Sequence, residues 1–456
     1  MEKYIVALDF GSSKIACVAA QKLEYGVRIL TYRVAESSGV TKGEISNIKQ
    51  AIEIAKNLLA QTANEIDADI TNVVVGISGQ YIKTIDATNE KVRKEPESLI
   101  SEEEIKELTD EMKNYKLDNE EHIIHVIPQC YNVDDIMGET EPVGMTGEKI
   151  QAVYKLVVGK NRVARNLSTT LSMTGIKPDL ISFNGIASSN AILTDDEREV
   201  GVATVDIGGG TTEITIIKDN VIKYCKTIPF GGNSVTEDIR RAFGVSYKNA
   251  EQLKTQLGSC FSDLISDTKS VAVKNGNLIK QIKLKSISLV IEARMVEILQ
   301  AVDYEINRSG LAEEIPSGIL FTGGGATIMH LANLGKQMFR QDVRIANPLN
   351  IVKDSSEDAF NFEASTVVGL ALTAIDSELD IYCDKDSRKT EEKKKELEKE
   401  TEQQNEKDSQ KDGESGQGSG ITIQVEEDRP EPKPKKRSWK TILTEIFDAP
   451  NDEEIV

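Results

Sequence analysis

The sequence predicts an α/β protein of two related halves, followed by a charged linker and a short amphipathic helix. Three observations carry this. Tyr4 to Ala16 (YIVALDFGSSKIA) and Val202 to Thr215 (VATVDIGGGTTEIT) share one design: an apolar strand, an Asp at its end, a glycine turn with hydroxyl residues, and a second apolar strand. Up to about Asp376, apolar runs alternate with amphipathic segments, as βα units do. There the composition breaks, and DKDSRKTEEKKKELEKETEQQNEKDSQKDGESGQGSG offers almost nothing to bury.

At 456 residues, 39% of them hydrophobic, the chain is long enough for two or more domains with substantial cores. A formal net charge of -20 argues against a nucleic-acid partner, because phosphate binding needs clustered Lys and Arg. The five cysteines contain no CxxC pair, which points to neither a disulfide framework nor a zinc site and fits a reducing cytosol. MEKYIVALDF enters a strand pattern with no basic and apolar leader, and no apolar run approaches the roughly 20 residues that span a bilayer. The expectation is a chain neither secreted nor transmembrane.

The glycine turns carry the chemistry. At Gly11 and at Gly208-Gly209-Gly210, backbone N–H groups can approach phosphate oxygens closely, and Ser12, Ser13, Thr211 and Thr212 add hydroxyl donors. Asp9 and Asp206, on opposing turns, suit a hydrated Mg2+, and Lys14 adds a point charge toward phosphate. A third turn in SGILFTGGGATIMHL, Gly323-Gly324-Gly325, follows a strand and precedes what reads as a helix start, again favouring an anionic or nucleotide ligand. Any one turn also answers to hairpin geometry alone, whereas all three in this order point to a nucleotide. GxxxxGK[ST] is absent, so this is not a P-loop.

This order of DFGSSK, DIGGGTTE and FTGGGA resembles the actin, heat-shock chaperone and sugar-kinase superfamily, whose actin-like fold has two lobes built on duplicated ribonuclease-H-like units. More narrowly the chain resembles the FtsA family of bacterial cell-division proteins, through HVIPQCYNVDD, PVGMTGEKIQAVYKLV, NGIASSNAILTDDEREVGVATVDIGGGTTEI, IPFGGNSVTEDI and IEARMVEI. The resemblance implies subdomain 1A at residues 1–83 and 163–198, an inserted subdomain 1C at 84–162, 2A at 199–229 and 301–376, and 2B at 230–300. Residues 377–432 are then a disordered charged linker, and 433–456 a basic patch with an amphipathic helix. It also implies ATP and Mg2+ as cofactors, with Gly231, Gly232 and Asn233 lining the phosphates and Glu251 and Lys254 near ribose and adenine. The bland reading of NAEQLK is an exposed helical face. In the segment that positions the attacking water in active relatives, the alignment places Asn184, whose amide cannot act as a base. Slow or negligible hydrolysis is the expectation, with ATP acting as a switch for self-association.

Ser101 and Glu104 form a capping box opening a helix in the insert, and His122 and His125 read as strand positions rather than metal ligands. The resemblance implies that this insert meets the next protomer and later division proteins. In the predicted helix Ser286 to Gly310, Leu289, Val290, Ala293, Val296, Ile298 and Leu299 form an apolar stripe. Arg294 on its polar side matches a position in the family's FtsZ-binding subdomain, where a basic rim suits the acidic and apolar C-terminal peptide of FtsZ. An ordinary solvated arginine is the other reading.

In SWKTILTEIF, Trp439, Ile442, Leu443, Ile446 and Phe447 fall on one helical face, preceded by Lys433, Lys435, Lys436 and Arg437. Such a segment suits an anionic lipid surface, at about 1 kcal/mol per basic residue near the headgroups. A linker of about 50 residues, reaching roughly 40 Å, would hold the acidic body away. The same face would also serve a dock on its own domain or a partner groove. One copy binds weakly, and joining copies in a filament or dimer strengthens attachment. With the terminal segment, the resemblance implies an actin-like protein at the division site, on the cytoplasmic face of the inner membrane, that links FtsZ to it and is at most a weak ATPase. A sugar kinase or phosphatase would have no use for the tether, and a pilus-assembly adaptor of similar fold should lack the terminal helix.

Overall fold

A computed structural model describes residues 3–24, 26–118, 120–275, 278–377 and 383–384. The expected terminal helix, the basic cluster before it and nearly all of the expected linker lie outside the described residues.

The repeat seen in the sequence is a repeat of topology. In the first lobe the strands run in the order Lys177–Phe183, Asn72–Ile77, Lys3–Phe10, Lys14–Leu23, Gly26–Glu36. In the second they run Val343–Ile345, Ile319–Thr322, Val202–Ile207, Thr212–Lys218, Val221–Ile228. Each lobe has an antiparallel meander on one side of its Asp-bearing strand and parallel pairs on the other, with Leu8 opposite Val75 and Asp206 opposite Thr322. Central strands covered on both faces read as unbroken apolar runs, which is why YIVALDF and VATVDI show no alternation.

Between the two sheets lie the helices Asn184–Ile192 and Ser365–Asp376. Their core draws Ile5, Val18 and Val74 from the first lobe and Val202, Ile217 and Leu320 from the second. The helices cross so closely that a Cβ on Gly369 would overlap the carbonyl of Ala187. Helices Ile48–Ile66 and Asn161–Thr174 cover the other face of the first sheet.

The insert follows Asn72–Ile77. Its strand Lys149–Lys160 pairs along its length with Lys83–Val92 and with Glu121–Val133, and Ile136–Glu139 forms the edge. The helix Glu102–Met112 opens with the expected capping box between Ser101 and Glu104. Although inserted in the first lobe, this sheet continues that of the second, through Lys83 opposite Lys226.

Two expectations change. The long helix runs Leu284–Arg308, and its buried face is Ile287, Ile291, Met295, Ile298, Leu299, Val302 and Ile306. Leu289 is 52% exposed. Of the predicted stripe, Ile298 and Leu299 are buried and Val290 and Val296 pack partly buried against the same second-lobe core, while Leu289 and Ala293 are exposed. The third glycine turn does not open a helix. It forms a short 3-10 turn, Gly324–Thr327, and the helix Leu331–Met338 starts only after His330, at φ 66°. The turn packs directly on the second Asp-bearing strand, where a Cβ on Gly325 would overlap Ile207.

Candidate nucleotide cleft

The two Asp-bearing strands end face to face between the lobes. Asp9 and Asp206 are 8% and 5% exposed. Asp9 Oδ1 accepts from Asn184 Nδ2 at 2.9 Å. Asp206 Oδ2 accepts from Thr366 Oγ1 at 2.9 Å and from the Ser188 hydroxyl. Burial pushes the Asp9 carboxyl up to about 6, against the Asn184 hydrogen bond, and the Asp206 charge adds to the rise. Burial raises Asp206 as well. A buried pair of like charges with raised pKa values is an environment that a cation would relieve.

The turns around this pair meet closely. A Cβ on Gly209 would overlap the Ser13 hydroxyl, and one on Gly210 the Ser12 hydroxyl, so the hairpins of the two lobes touch. Ser13 Oγ donates to Asn233 Oδ1 at 2.9 Å, and Ser12 Oγ accepts from the Gly43 N–H at 2.8 Å. The PFGGN turn is fastened to the second hairpin by Gly232 N–H to Gly208 O, 2.9 Å, and Asn233 N–H to Gly209 O, 2.8 Å. Gly323, at φ 83°, brings the third turn so near Asp206 that a Cβ there would overlap its carboxylate. Lys14 Nζ donates to Tyr32 OH and to Glu363 Oε2, each at 3.0 Å.

Asp9, Gly11, Ser12, Ser13, Lys14, Asp206, Gly208, Gly209, Gly232, Glu251, Lys254, Gly323, Gly324 and Gly325 line one cleft. The exposed-face reading of NAEQLK fails at Lys254, which is 7% exposed and donates to Gly232 O, Thr236 Oγ1 and Glu251 Oε2 at 3.1, 2.9 and 2.8 Å. Gly210 and Asn233 face instead a neighbouring hollow that includes Lys42, Phe230, Arg241 and Arg294. Thr211 and Thr212 are buried behind the turn, with Thr212 Oγ1 donating to Phe230 O at 2.8 Å. Gly231 packs on the carbonyls of Gly208 and Gly209. Asn184 sits behind Asp9, its Oδ1 buried without a partner.

Several contributors escaped the sequence reading. Glu363 and Thr366 line the cleft from a segment far along the chain, and no local signal marks them. Glu213 had one: it stands directly across the second hairpin from Asp206. It is 4% exposed, accepts from the Ser78 hydroxyl, and burial, with the Asp206 charge second, pushes it up to about 8. His125 lies on the insert strand, where Nε2 accepts from the Phe183 N–H at 2.9 Å and burial pushes it down to about 4.

Arg294 is half-buried. Its guanidinium holds Asp238 and Glu297, both at 2.5 Å, beside a shallow groove that also involves Arg241, Ala242, Val290 and Ala293. Both pairs lie at the surface, and an acidic ligand there would have to exchange for Asp238 or Glu297.

Comparison with known proteins places this architecture. The family model described as "Cell division protein FtsA" matches residues 203–369, and that of the "SHS2 domain inserted in FTSA" matches residues 79–158. The chain is 31% identical over 400 residues to the cell division protein FtsA of Escherichia coli (strain K12), covering 85% of this chain and 94% of that one. It is 32% identical over 378 residues to FtsA of Buchnera aphidicola subsp. Schizaphis graminum, covering 81% and 90%. Among solved structures, the PilM-PilN type IV pilus biogenesis complex aligns with TM-score 0.56 at 16% identity, over 81% of this chain and 98% of that one, a likeness of fold. The two-lobed actin-like fold, the inserted domain and the extent of these matches lead to one conclusion: the chain belongs to the FtsA family of bacterial cell-division proteins.

Proposed function

We propose that this chain is a nucleotide-controlled membrane tether of the division machinery, which binds ATP with Mg2+ between its lobes, self-associates, and holds the C-terminal peptide of FtsZ at the cytoplasmic face of the membrane. The observation that supports this best is the convergence of three glycine turns on one cleft around Asp9 and Asp206. The residues fit the ligand. Glycine backbones let phosphate oxygens approach N–H groups, and Lys14 stands ready to exchange Glu363 for a phosphate. The buried carboxylate pair suits a hydrated divalent cation. When bound, Mg2+ supplies charge neutralisation between the phosphates and these carboxylates.

The same geometry supports weak hydrolysis. Asn184 is committed to Asp9 and has no basic atom to offer. Glu213, pushed up to about 8, stays protonated at neutral pH and cannot take a proton from water. The groove beside Arg294 sets Arg241 and Arg294 with Asp238 and Glu297 around the apolar Val290 and Ala293, so an acidic and apolar peptide would seat there by taking the place of those carboxylates. Membrane attachment rests on the sequence of residues 433–447. Among the described residues no helix is long and apolar enough to cross a membrane.

Co-sedimentation with anionic liposomes and MgATP tests the reading, comparing the intact chain with Trp439→Glu/Phe447→Glu in the presence of a fluorescent FtsZ tail peptide. The intact chain should carry the peptide into the pellet, and the double variant should leave both in solution while keeping its nucleotide affinity. Equal pelleting of the two would remove the terminal helix as the anchor.

A further inference from the structure

The inserted subdomain holds one backbone segment of each lobe, and both segments lead directly into the nucleotide cleft. On the first-lobe side, His125 Nε2 accepts the N–H of Phe183 at 2.9 Å. The next residue is Asn184, whose amide holds Asp9. On the second-lobe side, a single hydroxyl serves both backbone groups of Cys225. Thr84 Oγ1 accepts from the Cys225 N–H at 2.6 Å and donates to its carbonyl at 3.1 Å. The Thr227 N–H donates to Ile82 O at 3.1 Å. The strand Val221–Ile228 then passes through Pro229 and Phe230 into Gly231-Gly232-Asn233, the turn fastened to the second hairpin. Where the three bodies meet, Ile82 and Val157 of the insert pack with Phe183 and Ile186 of the first lobe and Cys225 of the second in one small buried core.

We infer that His125 and Thr84 are positioning residues for the nucleotide site, through which the insert and the cleft share one conformational equilibrium. The physical basis is local. Removing the acceptor at residue 125 leaves the Phe183 N–H buried without a partner, and removing the Thr84 hydroxyl does the same to Cys225. Each loss frees a segment that ends, within one residue or a few, on a group touching Asp9 or the second glycine turn. His125 suits the role because burial keeps its imidazole neutral, with Nδ1 carrying the proton and Nε2 the lone pair. By linkage, a protein seated on the insert changes the affinity of the cleft by the same factor that a nucleotide changes the affinity of the insert. This rests on the proposed nucleotide reading only for the identity of the ligand.

Two pairs of variants in the full chain test it. His125→Leu and Thr84→Val delete the polar groups, while His125→Gln, whose Oε1 reaches the place of Nε2, and Thr84→Ser keep an acceptor and a hydroxyl. The first readout is hydrogen exchange without nucleotide, followed on peptides covering residues 3–14 and 206–214, which neither side chain touches. The deleting variants should exchange faster there by about three- to tenfold, and the conservative variants should return exchange toward the intact chain. The second readout is MgATP affinity, which should fall by about three- to tenfold in the deleting variants alone. Faster exchange confined to the insert, Phe183 and Cys225, with unchanged cleft peptides, would overturn the coupling whether or not ATP binds. Absence of MgATP binding by the intact chain would overturn the nucleotide reading, and the exchange measurement would still decide the coupling.

Discussion

Glu213 gives the sharpest quantitative prediction. Its ordinary value is 4.5 and the folded protein pushes it up to about 8, foremost by burial. A carboxyl raised on folding contributes stability that is fully present below its unfolded pKa and lost as pH rises through the folded one. Between 4.5 and about 8 the unfolded chain releases this proton while the folded chain keeps it, so each pH unit costs about 1.4 kcal/mol. Asp9, pushed up to about 6, loses its own contribution mostly below the neutral range. From pH 6.5 to 8 the contribution of Glu213 itself should therefore fall by about 1.6 kcal/mol, read as the difference between the intact chain and a variant without this titration. Glu213→Gln keeps an oxygen to accept from Ser78 and removes the titration. Urea denaturation of the ligand-free intact chain and the variant at pH 6.5 and 8 should show the intact chain losing more stability than the variant over that range. Parallel pH dependence in the two proteins would refute the burial argument.

Other outcomes follow from the same geometry. Gly323→Ala puts a Cβ into the Asp206 carboxylate at a φ that L residues rarely adopt, and ATP affinity by equilibrium titration should drop by at least about tenfold. Arg294→Glu reverses the groove rim and frees Asp238 and Glu297, so the Kd for an FtsZ tail peptide by fluorescence anisotropy should rise about tenfold or more, and an unchanged Kd would take Arg294 out of the site. Purified protein should turn over ATP well below about 1 per second in a phosphate-release assay, and a rate at or above that would refute the weak-hydrolysis reading.

The sequence by itself determined what depends on local pattern and repetition. An Asp-ended strand with a glycine turn, met twice, was enough to read two related lobes, because the spacing of a hairpin is fixed by its own residues. The Ser101 to Glu104 cap was legible for the same reason, since a capping box closes within one turn. Tertiary structure alone decided how far the predicted stripe on the helix Leu284–Arg308 is covered, because the second-lobe core buries Ile298 and Leu299 and leaves Leu289 and Ala293 exposed. It alone brought Glu363 to Lys14 and set the lone Asn184 amide on Asp9, contacts 349 and 175 residues apart in the chain that no local pattern encodes. It also made the insert a neighbour of both lobes. The strand Lys83–Val92 follows from its residues, but its place beside Val221–Ile228 is set by how the lobes close around the buried junction of Ile82, Phe183 and Cys225.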